Sequence, residues 1–391
     1  MPSAVIVSAC RTPIGSFMGS LSSVPAPRLG ALVVEEAVSR AGIRKSDVQE
    51  VIMGNVLTAA EGQAPARQAA LFAGLPDSVE CMTVNKVCGS GLKSVMLASQ
   101  AIQLGDAEIV VAGGMESMSN APYVLERARS GYRLGNASLV DSMIKDGLWD
   151  VYNDFHMGNA AELCARECAV PRETQDEFSI TSYKRAQSAW REGRFKAEVI
   201  PVRIATKQGD EAVSQDEEPL KTKFEKIPTL KPAFQKEGTV TAANASKIND
   251  GAAALVVMSE AKAAEMKLSP LARIMAYASS AKKPEWFTTA PADVIPKVLM
   301  RAKMKLGDID LFEINEAFAV VTLAVNKMLG LDLARVNVNG GAVALGHPIG
   351  ASGARILVTL LYALKQRNLK RGLAAICIGG GEAAGMIVEL I

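Results

Sequence analysis

The chain has 391 residues with 43 Lys plus Arg against 41 Asp plus Glu, and this near balance excludes charge-driven binding to nucleic acid or a membrane surface. Its 49% hydrophobic and 21% charged residues indicate a globular protein of two or three structural units. No apolar run is long enough to cross a bilayer, and the six cysteines lack disulfide-scaffold spacing. We therefore predict a cytoplasmic location, in a reducing compartment.

In chain order, β-branched apolar runs alternate with stretches of helical periodicity. The pattern predicts strands at 4–9, 50–56, 108–113, 253–258, 336–339, 374–379 and 385–390. It predicts helices at 28–41, 63–73, 90–103, 159–168, 172–192, 292–304, 316–329 and 351–366. Alternation of this kind is typical of an α/β protein whose helices cover largely buried sheets.

An internal repeat divides this pattern into two halves. Residues 89–116 and 351–382 each read as a small turn, an apolar helix, a strand, a Gly-Gly pair and Glu. Cys88 and His347 each precede the helix start of one unit, so packing of the two halves would bring them into one site. Between the halves, residues 119–248 are rich in prolines, polar turns and charges, which indicates an insertion that covers the substrate.

Three glycine-flanked segments carry the reactive side chains. Cys88 stands before Gly-Ser-Gly, where a helix start is expected to lower its pKa and favour the thiolate. His347 lies between Gly346 and Pro348, in a chain with only two histidines, which favours a base over a core histidine. Cys377 runs into three glycines whose amides suit an oxyanion, although a core cysteine is an equally good interpretation from the residues alone.

The other cysteine pair gives no metal site. Cys164 and Cys168 share one face of a predicted helix, but no further ligand at zinc-like spacing accompanies them. We therefore predict no metal.

Several motifs together resemble one known family. They are the segments 85–91 (NKVCGSG), 113–118 (GGMESM), 156–158 (HMG), 244–246 (NAS), 249–253 (NDGAA), 315–319 (NEAFA), 339–341 (NGG), 346–348 (GHP) and 377–381 (CIGGG). Over essentially its whole length the chain resembles the thiolases, in particular the biosynthetic-type acetyl-CoA acetyltransferases. The resemblance implies the thiolase fold, in which two similar βαβαβαββ halves form an α/β/α/β/α layered arrangement with an inserted loop domain. It divides the chain into an N-terminal half (1–118 and 249–269), a loop domain (119–248) for coenzyme A binding and oligomer contacts, and a C-terminal half (270–391).

The resemblance also implies a role for each candidate site residue. Cys88 matches the nucleophile that takes the acetyl group, His347 the base that activates it, and Cys377 the acid/base that removes a proton from the second acetyl-CoA. Asn315 matches the residue that positions a water in an oxyanion hole with His347, and the amides of Cys88 and Gly379 match the second hole. The residues that match positions around the acyl and pantetheine pocket are His156, Met157, Ser246, Ala317, Phe318 and Phe287.

The implied reaction is the reversible Claisen condensation of two acetyl-CoA to acetoacetyl-CoA and CoA, by ping-pong kinetics through an S-acetyl-Cys88 intermediate. The coenzyme A thioesters are substrates, and no other cofactor is implied. The resemblance implies a homotetramer, a dimer of dimers, with contacts made by a loop that corresponds to the region of Arg127, Arg129 and Arg133; the sequence leaves the choice between dimer and tetramer open. Physiological direction stays open.

Three other functions compete with this interpretation: a broader-chain 3-ketoacyl-CoA thiolase of β-oxidation, a decarboxylating ketoacyl synthase, and a coenzyme A-binding subunit without activity. One departure from the family is Glu382, where relatives usually have an uncharged residue. Because a buried unpaired carboxylate is costly, Glu382 should be exposed or have a partner.

Overall fold

The computed structural model of the chain describes residues 2–206 and 209–391. The first part contains β1 (Ala4–Arg11), β2 (Gly15–Ser16), α1 (Ala26–Ala41), β3 (Glu50–Gly54), α2 (Pro65–Phe72), β4 (Glu80–Val84), α3 (Ser90–Leu104) and β5 (Ile109–Ser117). The middle part contains β6 (Tyr123–Val124), β7 (Val140–Asp141), β8 (Trp149–Asp150), β9 (Phe155–His156), α4 (Met157–Glu167), α5 (Arg172–Arg191), β10 (Val202–Thr206), β11 (Gly209–Val213) and α6 (Glu218–Lys221).

The last part returns to longer strands and helices. It contains β12 (Asn249–Ser259), α7 (Glu260–Glu265), β13 (Ala272–Ala281), α8 (Ala290–Ala302), β14 (Leu311–Ile314), α9 (Ala319–Leu329), α10 (Ala342–Leu345), α11 (Ile349–Gln366), β15 (Arg371–Ile378) and β16 (Glu382–Leu390). Short 3₁₀ turns lie at Lys45–Asp47, Met118–Asn120, Phe224–Thr229, Pro284–Trp286, Leu306–Asp308 and Leu333–Arg335, and a π-helical turn lies at Met143–Leu148.

Within the described residues, ten strands form one mixed sheet. Its order is β14-β15-β16-β13-β1-β12-β5-β3-β4, and β2 pairs with β12. The two halves of the sheet join where β1 pairs antiparallel with β13, through Val5 with Arg273 and Ile6 with Ala272. Alternate residues of β1 therefore face opposite cores: Ile6 packs against the central helices, while Val5 packs towards the outer helices.

The layers follow from this sheet. Helices α3 and α11 pack against each other and contact strands of both sheet halves, so they form the central layer. Helices α1 and α2 cover the outer face of the N-terminal half, and α8 covers the outer face of the C-terminal half. This arrangement confirms the predicted α/β class and the α/β/α/β/α layering.

Glycines in the repeat allow the two central helices to approach closely. A Cβ placed on Gly91 would lie 2.8 Å from the backbone nitrogen of Ala354, and one placed on Gly353 would clash with the backbone of Leu92. The close packing is reciprocal, as the internal repeat suggested. It brings the first turns of α3 and α11 together at the centre of the molecule.

Most predicted elements are confirmed within a few residues, but the strand predicted at 336–339 is wrong. Only Val336 forms an isolated bridge there, with Phe312. Asn337 has φ 48°, and its side-chain amide bonds both the backbone nitrogen and the carbonyl of Ile314 at 2.8 Å. The side chain thus makes the hydrogen bonds that a neighbouring strand would make, and the chain turns away.

Besides β2 and the strands of the middle part, β6 to β11, three strands of the main sheet were not predicted: β4, β13 and β14. β13 alternates buried and half-buried residues and includes polar ones, and β4 is a partly exposed edge, so neither shows a continuous apolar run. β14 has only four residues. None of the helices in the described ranges combines the length and the apolarity that crossing a membrane requires.

Candidate active site

A pocket of about 230 Å³ opens where the first turns of α3 and α11 meet. Cys88, His347 and Gly379, which come from three different segments, all line it. Every predicted pocket position also lines it: His156, Met157, Ser246, Ala317, Phe318 and Phe287. The structure therefore brings together residues from distant parts of the chain, as the sequence motifs predicted.

Cys88 lies in a tight turn directly before α3. Val87 has φ 44°, an uncommon and strained conformation for a β-branched residue. The turn is held by Ser90, whose Oγ donates to the Val87 carbonyl at 2.6 Å and accepts from the backbone nitrogen of Lys86 at 2.8 Å. The strained turn presents the partly exposed thiol to the pocket instead of burying it in the core.

The pKa of Cys88 differs from the predicted one. Burial raises it to about 11, although the amides of Gly379 and of Cys88 itself bond the sulfur and act to lower it. The negative charge of Glu116 adds to the rise. The prediction that the helix terminus lowers the pKa of this thiol is therefore wrong, because desolvation outweighs the helix dipole. The thiol is protonated at neutral pH and needs a base.

His347 presents a neutral imidazole to the same pocket. Oγ of Ser352 lies 2.8 Å from the Pro348 carbonyl and 2.6 Å from Nδ1 of His347; with the hydroxyl donating to the carbonyl, Ser352 accepts from Nδ1. The unprotonated nitrogen is then Nε2, which has no hydrogen-bond partner among the described residues. Burial, and secondarily the charge of Arg355, lower the pKa of His347 to about 3, so the ring is neutral.

The position of the His347 ring is also fixed through the backbone. Its backbone nitrogen donates to Oδ1 of Asn249 at 2.9 Å, and the same side chain donates from Nδ2 to the Gly15 carbonyl at 2.8 Å. Gly346 has φ 113°, which only glycine adopts readily, and a Cβ there would meet the Asn249 amide at 2.5 Å. The glycine before the histidine is thus explained by geometry.

Cys377 ends β15 and is fully buried. It is not among the residues that line the pocket, but it packs in one cluster with the lining residues Met157, Phe287 and Phe318. Burial raises the pKa of its thiol well above the ordinary value, and the nearby Cys88 raises it further. The structure places Cys377 behind the pocket wall as a protonated thiol.

Asn315 follows β14 and is also buried. Its backbone nitrogen donates to the Ala375 carbonyl at 2.9 Å, which ties it to the strand that ends in Cys377. Its side-chain Oδ1 accepts from Arg355 Nη2 at 3.3 Å, and Nδ2 has no partner among residues 2–206 and 209–391. Like Cys377, Asn315 does not line the pocket directly.

An aromatic wall closes one side of the pocket, and sequence reasoning missed its central member, Phe234. The Phe234 ring stacks on His156 at 4.8 Å and meets Phe318 edge-on at 6.1 Å. A Cβ on Gly158 would clash with the Phe234 ring, which explains the glycine of the 156–158 motif. His156 also caps α4, since its Nδ1 accepts from the Gly158 nitrogen at 3.1 Å.

Further lining residues were not predicted, because they lie outside the motifs or, like Met118 and Ala245, lie within a motif without a role of their own. They are Met118, Gly147, Leu148, Ala245, Lys247, Ile248 and Ile349. Most are apolar neighbours of predicted residues, so hydrophobic patterning could not separate them from core.

Glu382 behaves as its sequence context required. Glu382 forms an ion pair with Lys86, two residues before Cys88, which confirms that this carboxylate has a partner.

Cys164 on α4 is buried and Cys168, directly after α4, is half-buried, with their sulfurs 3.9 Å apart. No third metal-ligating side chain joins them in the part of the chain that the structure describes.

Comparison with known proteins agrees with this geometry. Residues 4–261 match the model of the thiolase N-terminal domain, and residues 268–390 match that of the thiolase C-terminal domain. The chain is 55% identical over 391 residues to acetyl-CoA acetyltransferase of Cupriavidus necator, covering 100% of both chains. It is 55% identical over 387 residues to the mitochondrial acetyl-CoA acetyltransferase of Bos taurus, covering 98% of this chain and 91% of that protein.

A solved structure extends the likeness to three dimensions. The crystal structure of the Acat5 thiolase from Ascaris suum in complex with coenzyme A superposes with a TM-score of 0.94 at 46% identity, over 100% of each chain. With two family models covering nearly the whole sequence and relatives above half identity, the chain belongs to the thiolase family.

Proposed function

We propose that the protein is an acetyl-CoA C-acetyltransferase that interconverts two acetyl-CoA with acetoacetyl-CoA and CoA. The observation that carries the proposal is the pairing of a protonated, pocket-facing thiol, Cys88, with a neutral histidine, His347, whose free Nε2 belongs to the same pocket. The full-length relatives that bear this activity in their names support it.

The first half-reaction transfers the acetyl group to Cys88. His347 Nε2 takes the proton of the thiol as the sulfur attacks the thioester carbonyl of acetyl-CoA. The amides of Cys88 and Gly379, which already bond the sulfur, receive the charge that develops on the carbonyl oxygen. Collapse of the intermediate leaves a thioester on Cys88 and releases CoA as a thiolate. That thiolate takes its proton from the thiol of Cys377, so Cys377 becomes a thiolate while His347 keeps the proton of Cys88.

The second half-reaction needs a carbon nucleophile. In its thiolate form Cys377 removes a proton from the methyl group of the second acetyl-CoA, and its position against Met157 and Phe318 favours a short substrate that fills the pocket. The enolate oxygen is stabilised by His347, now donating from Nε2, and by Asn315 through a water. The carbanion attacks the acetyl carbon, and Cys88 leaves as a thiolate that takes its proton back from His347, which gives acetoacetyl-CoA and ping-pong kinetics.

The aromatic wall of Phe234, Phe287 and Phe318 favours short acyl chains over the broader-chain 3-ketoacyl-CoA alternative. A longer acyl chain would have to displace these rings, and each added methylene group would lower kcat/KM modestly. Thiolysis rates with C4 and C10 3-ketoacyl-CoA test this directly. Equal kcat/KM for the two lengths would replace the acetoacetyl-CoA assignment with the broader one.

The assembly that fits this proposal is a homotetramer, a dimer of dimers. Two exposed features are suited to contacts between copies: the edge strand β4 with Met82, and the loop that exposes Leu125, Tyr132, Leu134 and Leu139.

The predicted domain boundaries, the absence of a metal or further cofactor, and a cytoplasmic location stay predictions. Curated relatives include mitochondrial enzymes.

Intact mass after brief incubation with acetyl-CoA tests the central mechanism. We expect one added acetyl group on the wild type, none on Cys88→Ser, and a normal adduct on Cys81→Ser, a control that alters another incompletely buried free cysteine. A folded wild type that binds CoA without any adduct would contradict covalent catalysis and favour the binding-subunit alternative.

A further inference from the structure

Arg355 is a buried cation behind the active site that the mechanism above leaves unused. It lies on α11, two turns after His347, and its side chain is 2% exposed. Its Nη2 donates to Oδ1 of Asn315 at 3.3 Å. Its Nη1 lies 3.9 Å from Oε2 of Glu313, and neither Nη1 nor Nε has a hydrogen-bond partner within the described ranges.

The chemistry of the guanidinium group fixes which end of the Asn315 amide faces it. Arginine has only donors, so the amide must turn its oxygen towards Arg355. Its NH₂ group then points away, and Nδ2 is left as a buried donor with no partner in the described chain. A donor held in this way is what an oxyanion or a bridging water requires.

We propose that Arg355 is a positioning residue that holds the Asn315 amide with its NH₂ free for the water that meets the enolate oxygen, and strengthens the amide as a donor. The inference rests on the proposed function, since it concerns the second half-reaction. A cation on the amide oxygen polarises the amide and makes its N–H bonds more acidic, which stabilises negative charge on the far side. Arg355 therefore acts through Asn315, without touching the substrate.

The groups around Arg355 leave its charge available for this role. The carboxylates near it are Glu313, Glu316 and Glu198, and Arg11 is a second buried cation. Burial raises the pKa of Glu313 to about 8, which favours its neutral form, and its Oε2 lies 3.9 Å from Nη1 of Arg355, beyond hydrogen-bond distance. Glu316 accepts hydrogen bonds from Ser182, Asn337 and the Val343 amide, and Glu198 pairs with Arg11 at 2.6 Å. Neither carboxylate is committed to Arg355.

A double-mutant cycle distinguishes this role from a structural one. We expect Arg355→Met to lower kcat of condensation about 10- to 100-fold with KM changed less than about threefold, and Asn315→Ala to lower it roughly 100-fold. The double variant should be no slower than Asn315→Ala alone, because the same interaction is already lost. Acetylation of Cys88 by acetyl-CoA should stay within about threefold of wild type at pH 7 to 8 in all three variants. This step uses the other oxyanion hole, and burial, the main cause of the low pKa of His347, keeps that ring neutral without Arg355.

Arg355→Lys retains the positive charge without the planar fork, and we expect it to recover part of the lost kcat. If Arg355→Met does not fold, as judged by thermal melting, the same cycle is made with Arg355→Lys. Losses that multiply in the double variant, or acetylation slowed as much as condensation, would overturn the inference. A wild type that never becomes acetylated would instead refute the proposed function, so the two failures are distinguishable.

Discussion

The starts of α3 and α11 are related by the internal repeat, yet they do different chemistry. In both, a serine of the first turn donates back to a carbonyl: Ser90 to Val87 at 2.6 Å and Ser352 to Pro348 at 2.8 Å. Both follow a residue that lines the pocket, Cys88 or His347. The shared device stabilises the turn before each helix and leaves the preceding side chain facing the pocket.

The difference lies in how each helix terminus uses its free amides. At α11, Glu116 accepts from the Gly350 nitrogen at 2.8 Å, so a carboxylate already occupies the positive end. At α3, the amide of Cys88 is directed at its own sulfur, and no side chain caps the helix. The comparison teaches that the pseudo-symmetric fold supplies two helix termini. At α11 the positive end is neutralised by Glu116 beside the base His347, whereas at α3 it stays free to bind an oxyanion.

The largest effect should come from removing the base. We expect His347→Asn to slow acetylation of Cys88 roughly 1,000-fold, because general-base assistance contributes about 100- to 10,000-fold and the thiol is protonated without it. His156→Asn is the matched control. An Asn side chain still accepts from the Gly158 nitrogen, so only the stacking on Phe234 is lost and the rate should fall less than tenfold. Rapid-quench mass spectrometry measures both.

The pH dependence of the same step is predicted from the pKa of His347. A pKa of about 3 means that the imidazole is neutral from pH 8 down to pH 5, so acetylation should be nearly flat over that range. A base with an ordinary pKa near 6.5 would instead lose about 30-fold at pH 5, because protonation removes its lone pair. A fall of that size in the wild type would show that burial and Arg355 do not depress this pKa.

The two serines should separate rate from stability. Ser352→Ala removes the acceptor that fixes the tautomer of His347, so we expect acetylation to slow about tenfold with little change in melting temperature. Ser90→Ala leaves the backbone nitrogen of Lys86 without its acceptor and frees the strained turn at Val87, so we expect a loss of about 1–3 kcal/mol in unfolding free energy. Equal effects of both variants on both measurements would contradict the distinction.

The sequence predicted these two helix starts because their residues occur in rare, glycine-flanked motifs. Close approach of α3 and α11 requires Gly91 and Gly353, and these glycines can be recognised in the sequence. The degree of burial of a side chain cannot be recognised in this way. The pKa of Cys88 was predicted with the wrong sign because a helix start can be recognised from the sequence, whereas the desolvation around the sulfur depends on packing of the whole molecule.

Residues missed by the sequence analysis share one property: their roles depend on partners far away in the chain. Phe234 matters only because His156, Gly158 and Phe318 meet it. Arg355 did leave a signal, a charge in the middle of the apolar helix α11, whose other charged residue, Lys365, lies in the last turn; a buried cation requires a reason. Reading that signal still required β14, which brings Glu313 and Asn315 to the guanidinium group.

The smallest predicted effect concerns the ion pair nearest to the start of α3, and it tests whether catalysis at Cys88 depends on that pair. Lys86 and Glu382 pair across the turn that carries Cys88, with side chains 23% and 36% exposed. Because partly exposed pairs are screened by solvent, Glu382→Gln should change the unfolding free energy by less than about 1 kcal/mol and kcat by less than about threefold. Lys86→Gln is the matched control and should have the same small effect. A much larger loss in Glu382→Gln alone, measured by melting and condensation kinetics, would mean that the carboxylate acts on Cys377 or Gly379 independently of Lys86.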